Sequence, residues 1–283
     1  MRVDVITIFP ALFPGPLGEG VIGRASDKGL LELRVHDLRV YAAGPHRQVD
    51  DEPFGGGGGM VLKPEPLFAA VEDVHGQVAT AGTEPGPVIL LSPQGERLQQ
   101  RRVEWLARLP QMTLICGRYE GVDERVRQKT VDFEVSIGDY VTSGGELPAM
   151  VIIEAVTRLQ PGALGDADAA RHDSFSDALL DYPQYTRPAK FRGIGVPEVL
   201  RSGNHQAIGD WRRRQALLAT SRKRPDLLSG RELSEQEVAL LSAPQRQEGS
   251  TAPVAADELD AAVSVEEENP RRALLAAGNE RQE

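Results

Sequence analysis

The residues best placed to do chemistry lie between Cys116 and Asp173. They read Cys-Gly-Arg-Tyr-Glu-Gly over 116–121 and Ser-Ile-Gly-Asp-Tyr-Val-Thr-Ser-Gly-Gly-Glu-Leu-Pro-Ala-Met over 136–150, followed by Arg158 and His-Asp-Ser-Phe over 172–175. Two apolar runs end in glycine turns, an apolar helix carries one arginine, and a polar segment delivers one aspartate. Glycine lets a ligand come close to the backbone, where a side chain would collide. Ligands of open α/β sheets bind beyond the carboxyl ends of strands. Charged residues beside such turns are therefore candidates to act on a bound molecule.

The elements that must position these residues follow from hydrophobic period. Residues 2–9 alternate as a strand, and Pro10 and Pro14 break it. A helix over 17–27 ends at Gly29, and a second strand runs from Leu31 to Val35. Residues 41–60 form a polar loop holding His46, Arg47, Asp50, Asp51 and five consecutive glycines. Such a run cannot be a helix interior or a packed strand and reads as a linker or a ligand loop. It is no P-loop, since Gly-Lys-Ser/Thr is missing, and no strand feeds it as a dinucleotide fingerprint requires. Helical spacing resumes at Leu62, Leu67, Ala70 and Val71, and a Gly/Pro/Thr loop covers 75–87.

Val88 to Leu91 is a buried strand closed by the turn Ser-Pro-Gln-Gly over 92–95. A helix over 97–109 buries Leu98, Val103, Trp105, Leu106 and Leu109. Thr113 to Cys116 and Phe133 to Ile137 are strands, with a helix over 122–130 between them. Cys116 closes its apolar run and reads as strand packing. Pro148 opens a helix over 147–159 whose near-continuous apolar face predicts burial on most sides. Glu154 and Arg158 share a face of it, as an ion pair or as a ligand-facing arginine. Strand, turn and helix alternate, so the fold class is α/β with a largely parallel sheet.

Residues 161–183 have linker composition, and the block after them is helical: a short helix over 196–202, then Asn204 capping one over 205–222, with Ile208, Trp211 and Leu218 as its buried stripe. Ser234 and Glu237 form a capping box for a last helix. From about 245 the chain is Ala/Glu/Gln/Pro-rich and reads as a disordered acidic tail. The expected organisation is a domain over 1–160, a linker over 161–183, a basic helical domain over 184–244 and the tail over 245–283.

The chain has 283 residues, of which 40% are hydrophobic and 26% charged, the pattern of a soluble globular protein with a sizeable core. No apolar run has membrane-spanning length. One cysteine excludes an internal disulfide and fits a reducing cytoplasm, and no Cys/His cluster suggests zinc. The net charge of −10 is unevenly spread. Residues 246–283 hold four Arg against nine Asp/Glu, whereas 183–224 hold ten Lys/Arg against two Asp/Glu. A basic block in an acidic chain points to a local polyanion site, with a solvated arginine-rich helix face as the plain alternative.

The motifs quoted above, together with Val-Asp-Asp…Pro-Phe-Gly-Gly-Gly, Leu-Ser-Pro-Gln-Gly and Ser-Gly-Asn-His, closely resemble the TrmD family of bacterial tRNA (guanine-N1)-methyltransferases, of the SPOUT class. The resemblance runs from Val3 to about Leu228. It implies S-adenosylmethionine as methyl donor, N1 of guanosine 37 in tRNA as acceptor, and a homodimer whose active sites use both subunits. It also implies a trefoil knot in the C-terminal half of the first domain, against the general rule for chains. Neither DNA nor a membrane is an implied partner.

Carried over by residue, the resemblance assigns the cofactor pocket to Pro93 and Gly95, to Gly117, Tyr119 and Glu120, and to Ile137, Gly138, Asp139, Tyr140, Val141, Thr142, Gly144 and Gly145. Arg158 and Asp173 match the catalytic pair. Asp50, Gly55, Gly56, Gly57 and Gly59 match the loop for the target guanine. Arg187, Ser202, Asn204 and His205 match the tRNA-binding domain. Gly58 replaces a proline common in the family, and Thr142 stands where an apolar residue is frequent. Some members need Mg²⁺, for which Glu120 and Asp173 are the candidate ligands. On this reading Asp173 takes the N1 proton as general base and Arg158 stabilises charge developing towards O6. The alternatives are a SPOUT enzyme for another RNA nucleotide and a non-catalytic RNA-binding protein that keeps the pocket.

Overall fold

The computed structural model describes residues 1–165, 173–229 and 231–242. The expected acidic tail, His172 and part of the expected linker lie outside the described residues. The described chain forms two compact units, Met1–Asp177 and Ala178 onward.

In chain order the first unit contains β1 (Arg2–Thr7), α1 (Pro14–Leu17), α2 (Gly20–Asp27), β2 (Glu32–Asp37), β3 (Asp50–Asp51), β4 (Val61–Leu62), α3 (Pro64–Thr80), β5 (Val88–Arg97), α4 (Gln100–Leu106), β6 (Gln111–Cys116), α5 (Glu124–Lys129), β7 (Phe133–Ser136) and α6 (Glu146–Thr157). Five strands make one parallel sheet in the order β2-β1-β6-β5-β7. Every residue of β1 and of β6 is buried. That is the signature of a parallel sheet covered on both faces.

Alternation along β1 divides its side chains between two cores. Val3 and Val5 join Leu114, Ile152 and Ile153 on one side. Ile6 joins Leu62, Val71, Val74 and Ile115 on the other. Asp4 is fully buried. Its carboxylate accepts two bonds from Arg2 at 2.8 Å, one from Gln111 at 2.9 Å, and faces His36 Nε2 at 2.9 Å. Burial alone would raise its pKa, but the bonds to His36, Arg2 and Gln111 outweigh desolvation and leave it lowered.

Three local readings change. The helix after Leu62 continues through Gly76 to Thr80 rather than giving way to a loop at 75, because Val74 and Val78 both bury completely and offset the glycine. Ser92 to Gly95 is not the end of a strand but an excursion within β5. Val135 pairs with both Leu91 and Glu96, so the chain leaves β7 and returns to it. Trp105 is 40% exposed, its ring edge-on to Phe133 and under the Arg102 guanidinium.

The second unit holds the short hairpin β8 (Lys190–Phe191) and β9 (Ile194–Gly195), then α7 (His205–Lys223) and α8 (Glu235–Ser242). It is therefore not wholly helical. Its core is small: Leu179, Ala216 and Leu217, with Tyr182, Leu228, Leu233 and Leu241 packed around them. The buried stripe of α7 runs through Ala216, Leu217 and Thr220, while Ile208, Trp211 and Leu218 are only half-buried. Asn204 caps α7 through a bond from the Ala207 N–H at 3.1 Å. Among the described residues no helix is long and apolar enough to cross a membrane.

Candidate active site

Three chain turns meet at the carboxyl end of the parallel sheet. The 92–95 excursion lies along β7, where a Cβ at Gly95 would collide with the Val135 backbone. The turn after β6 is tied to the one before α6: the Gly145 N–H donates to Gly117 O at 2.9 Å, and Arg118 bridges to Gly144. A Cβ on Gly145 would stand 2.7 Å from Cys116 Cα. At Gly95 and Gly145, then, the protein's own backbone occupies the place a Cβ would take. The two glycines let the turns close on each other. Pro93, Asp139, Tyr140 and Val141 are exposed on these turns, Val141 at 83%, while Ile137, Gly138 and Thr142 are half-buried. The Thr142 hydroxyl donates to Gly144 O at 2.9 Å, an anchoring role that an apolar residue could not take.

A buried network strengthens this junction. Glu146, the first residue of α6, is 2% exposed. Its carboxylate accepts from the Thr7 hydroxyl at 2.9 Å and faces Arg118 Nε at 3.3 Å. Arg118 also donates to Ser143 O at 3.0 Å and lies over the Phe9 ring at 4.5 Å. One glutamate and one arginine thus join the end of β1, the turn after β6 and the start of α6. Burial, and next the Glu146 carboxylate, push the Cys116 thiol well above its ordinary range, so it is an inert packing group.

The five-glycine stretch is a hairpin loop. β3 and β4 pair antiparallel across it, Asp50 with Leu62 and Asp51 with Val61. Its base is bonded to the turn after β6, since the Glu120 N–H donates to Met60 O at 3.0 Å and the Leu62 N–H to Gly121 O at 3.0 Å. Gly55, Gly56, Gly57 and Gly59 have φ of 91°, 78°, 120° and 85°, which side-chain-bearing residues rarely adopt. The Glu120 side chain packs against Gly59. Burial and the neighbouring Asp50 carboxylate raise the Tyr119 phenol above its ordinary pKa. Asp50, Gly59, Tyr119 and Glu120 are therefore one cluster.

Arg158 follows α6 and pairs not with Glu154 but with Asp173, Nη2 to Oδ2 at 2.6 Å. The pair is half-open, with side chains 31% and 40% exposed. Phe175, two residues on, has a φ of 75° and Tyr119 a φ of 59°, so both candidate loops carry a strained aromatic residue. Arg187, Ser202, Asn204 and His205 belong to the second unit, all four exposed. Thr7, Phe9, Arg118 and Glu146 carry no distinguishing sequence signal, apart from the position of two of them inside the glycine motifs.

Similarity to known proteins shows the family. A family model described as tRNA (Guanine-1)-methyltransferase TrmD matches residues 1–230. Curated relatives named tRNA (guanine-N(1)-)-methyltransferase include that of Moorella thermoacetica, 57% identical over 89% of this chain and 100% of its own. Those of Geobacillus kaustophilus and Symbiobacterium thermophilum are each 51% identical, over 84% and 86% of this chain and 95% and 98% of their own. The chain belongs to the tRNA (guanine-1)-methyltransferase family.

Membership in this methyltransferase family brings S-adenosylmethionine as the methyl donor, and the three turns fit it. They lie at the sheet's carboxyl end and leave Tyr140 and Val141 exposed on their surface. Mg²⁺ fares differently: among the described residues no group of three or more His, Cys, Asp or Glu side chains could hold a metal ion. Glu120 packs on Gly59 and Asp173 on Arg158, which is no cation cage.

Proposed function

We propose that this enzyme transfers the methyl group of S-adenosylmethionine to N1 of guanosine 37 in tRNA, with Asp173 as general base and Arg158 as the stabiliser of charge on O6. The observation that carries the reading is the half-open Arg158–Asp173 pair. The Watson–Crick edge of guanine presents an N1–H donor beside an O6 acceptor. The pair presents a carboxylate acceptor beside guanidinium donors, so the two edges are complementary. When bound, the cofactor supplies an electrophilic methyl on a sulfonium. As the methyl–sulfur bond would break, its electron pair staying on the departing thioether, and the bond to N1 form, the N1 proton would pass to a carboxylate oxygen of Asp173. Arg158 donates to O6 through charge-assisted hydrogen bonds. The guanine leaves its stack to reach the pair, and Asp50 with Gly55, Gly56, Gly57 and Gly59 holds it.

Residues 1–160 form the methyltransferase domain of this proposal, 161–183 the linker and 184–244 the tRNA-binding domain that contains Arg187, Ser202, Asn204 and His205. The boundary between the compact units, after Asp177, falls inside that linker and supports it. The proposal includes a trefoil-knotted chain, a cytoplasmic location and a homodimer. Leu147 and Val151 support the dimer: they form an outward stripe on α6, 61% and 45% exposed, where the sequence predicts burial.

The test is transfer of labelled methyl to two tRNA transcripts that differ only at position 37, guanosine against adenosine. Label on the guanosine transcript alone is expected. Label on both moves the target nucleotide. Label on neither, with the cofactor still bound, favours the non-catalytic reading.

A further inference from the structure

We propose that the hairpin of the second unit is a stacking wedge for an unpaired tRNA base, with Phe191 as the stacking face and Ile194 beside it. The inference rests on the tRNA reading above and adds to it a contact made through apolar surface rather than charge.

The hairpin is short and fixed. Lys190 pairs with Gly195 and Phe191 with Ile194, antiparallel. The two residues between them, Arg192 and Gly193, have φ of 49° and 87°. Two consecutive positive φ values in a two-residue loop make a type I′ turn, the tightest connection that matches strand twist. Directly paired residues of antiparallel strands project from the same face. Phe191 and Ile194 therefore stand side by side.

That face is open. Phe191 is 62% exposed and Ile194 58%. Elsewhere in this unit the aromatic residues have partners: Tyr182 lies under the Arg212 guanidinium at 4.9 Å, and Tyr185 packs against Trp211 at 6.3 Å. Among the described residues, Phe191 has no aromatic partner, and the Arg192 guanidinium lies 5.2 Å from its ring centre. A ring covered on one face by guanidinium is a platform that prefers an electron-rich, flat partner on the other.

The surrounding charge selects the partner. Arg187, Lys190 and Arg192 fall within six residues, and the nearest acids along the chain are Asp181 and Glu198. An apolar pair on a hairpin whose neighbours along the chain are cations fits a base whose phosphates lie beside it. A protein surface would answer the apolar pair but not the cluster of positive charge. Single-stranded nucleic acid is bound by this combination of aromatic faces and cations.

The experiment measures affinity for a tRNA transcript at several salt concentrations with the full chain, together with methyl transfer. Phe191→Ala should weaken binding roughly 5- to 150-fold, as loss of a base-stacking contact does. The slope of log affinity against log salt should not change, because no phosphate contact is lost. Lys190→Ala should instead lower that slope by about 0.7–0.9. Phe191→Trp should restore affinity, and its added indole emission should be quenched by the transcript. Phe191 is exposed, so thermal unfolding of Phe191→Ala should match the parent.

Unchanged affinity of Phe191→Ala overturns the wedge. So does a loss of affinity accompanied by a lower salt slope. A change of oligomeric state with intact affinity would make the hairpin a protein contact and overturn it as well. The two proposals fail separately. Binding that depends on Phe191 without methyl transfer sinks the enzymatic reading and leaves the wedge standing. Intact transfer with binding indifferent to Phe191 sinks the wedge alone.

Discussion

Glu146 in the first unit and Glu237 in the second are both buried carboxylates facing guanidinium groups, 2% and 5% exposed, yet they hold different things. Glu146 takes its partners from far along the chain, Thr7 being 139 residues away, and lies directly beneath the candidate cofactor turns. Glu237 closes a local box. Its Oε2 accepts from the Ser234 N–H at 2.9 Å, the Ser234 hydroxyl accepts from the Glu237 N–H at 3.2 Å, and Arg213 and Arg231 flank it. One glutamate fixes the relation between loops of a deep α/β sheet. The other fixes the start of one helix in a unit with a small core. The difference teaches that in the first unit stability and site geometry are the same contacts, whereas in the second the exposed basic residues stand apart from what folds it.

Five measurements sharpen or break that contrast. The ceiling is set by the reacting pair: Asp173→Asn should keep cofactor binding and lose on the order of 10²–10⁴ in turnover. Unchanged turnover would remove Asp173 as base. Next, Glu146→Ala leaves Arg118 facing a buried gap and should cost about 3–5 kcal/mol in denaturant unfolding, with cofactor affinity falling too. Full stability with weakened cofactor binding would separate the two roles that the contrast joins.

Glu237→Gln should be milder and should show its effect through pH. Burial opposes ionisation of Glu237, but the Ser234 N–H, Arg213 and Arg231 outweigh it and hold its pKa below the usual value. A depressed carboxyl contributes stability above its unfolded pKa of about 4.3 and loses it as pH falls through the folded value. Protection of the α8 amides from hydrogen exchange should therefore drop on acidification in the parent and stay flatter in the variant. An equal drop in both would assign the acid response elsewhere, with Asp4 the next buried carboxylate to examine.

Arg212→Ala should leave folding almost unchanged and lower the salt slope of tRNA binding by about one. An unaltered slope would make α7's basic face a solvated surface. The smallest effect is expected in the glycine loop. Gly58 is the one glycine of the five outside the left-handed region and has open space around it. Gly58→Ala should be neutral or stabilise by about 0.4–1 kcal/mol, while Gly57→Ala, at φ 120°, should destabilise. Equal behaviour would mean that the hairpin does not hold its backbone.

The capping box at Ser234 and Glu237 and the Asn204 cap were legible because their chemistry is local, three residues apart in each case. The parallel sheet was legible because strand, turn and helix alternate along the chain. Arg158 was legible as the one arginine of an apolar helix, but its partner was not. Spacing offered Glu154, and folding supplied Asp173.

By itself, then, the sequence determined the α/β class, the glycine turns and the family motifs, because periodicity and backbone conformation are set within a few residues. Only the tertiary structure decided that backbone fills the Cβ positions of Gly95 and Gly145, that Glu146 reaches Thr7, and that Leu147 and Val151 face outward. Those depend on which distant segments are brought within a few ångströms. No local propensity encodes that distance; it follows from how the strands order themselves in the sheet.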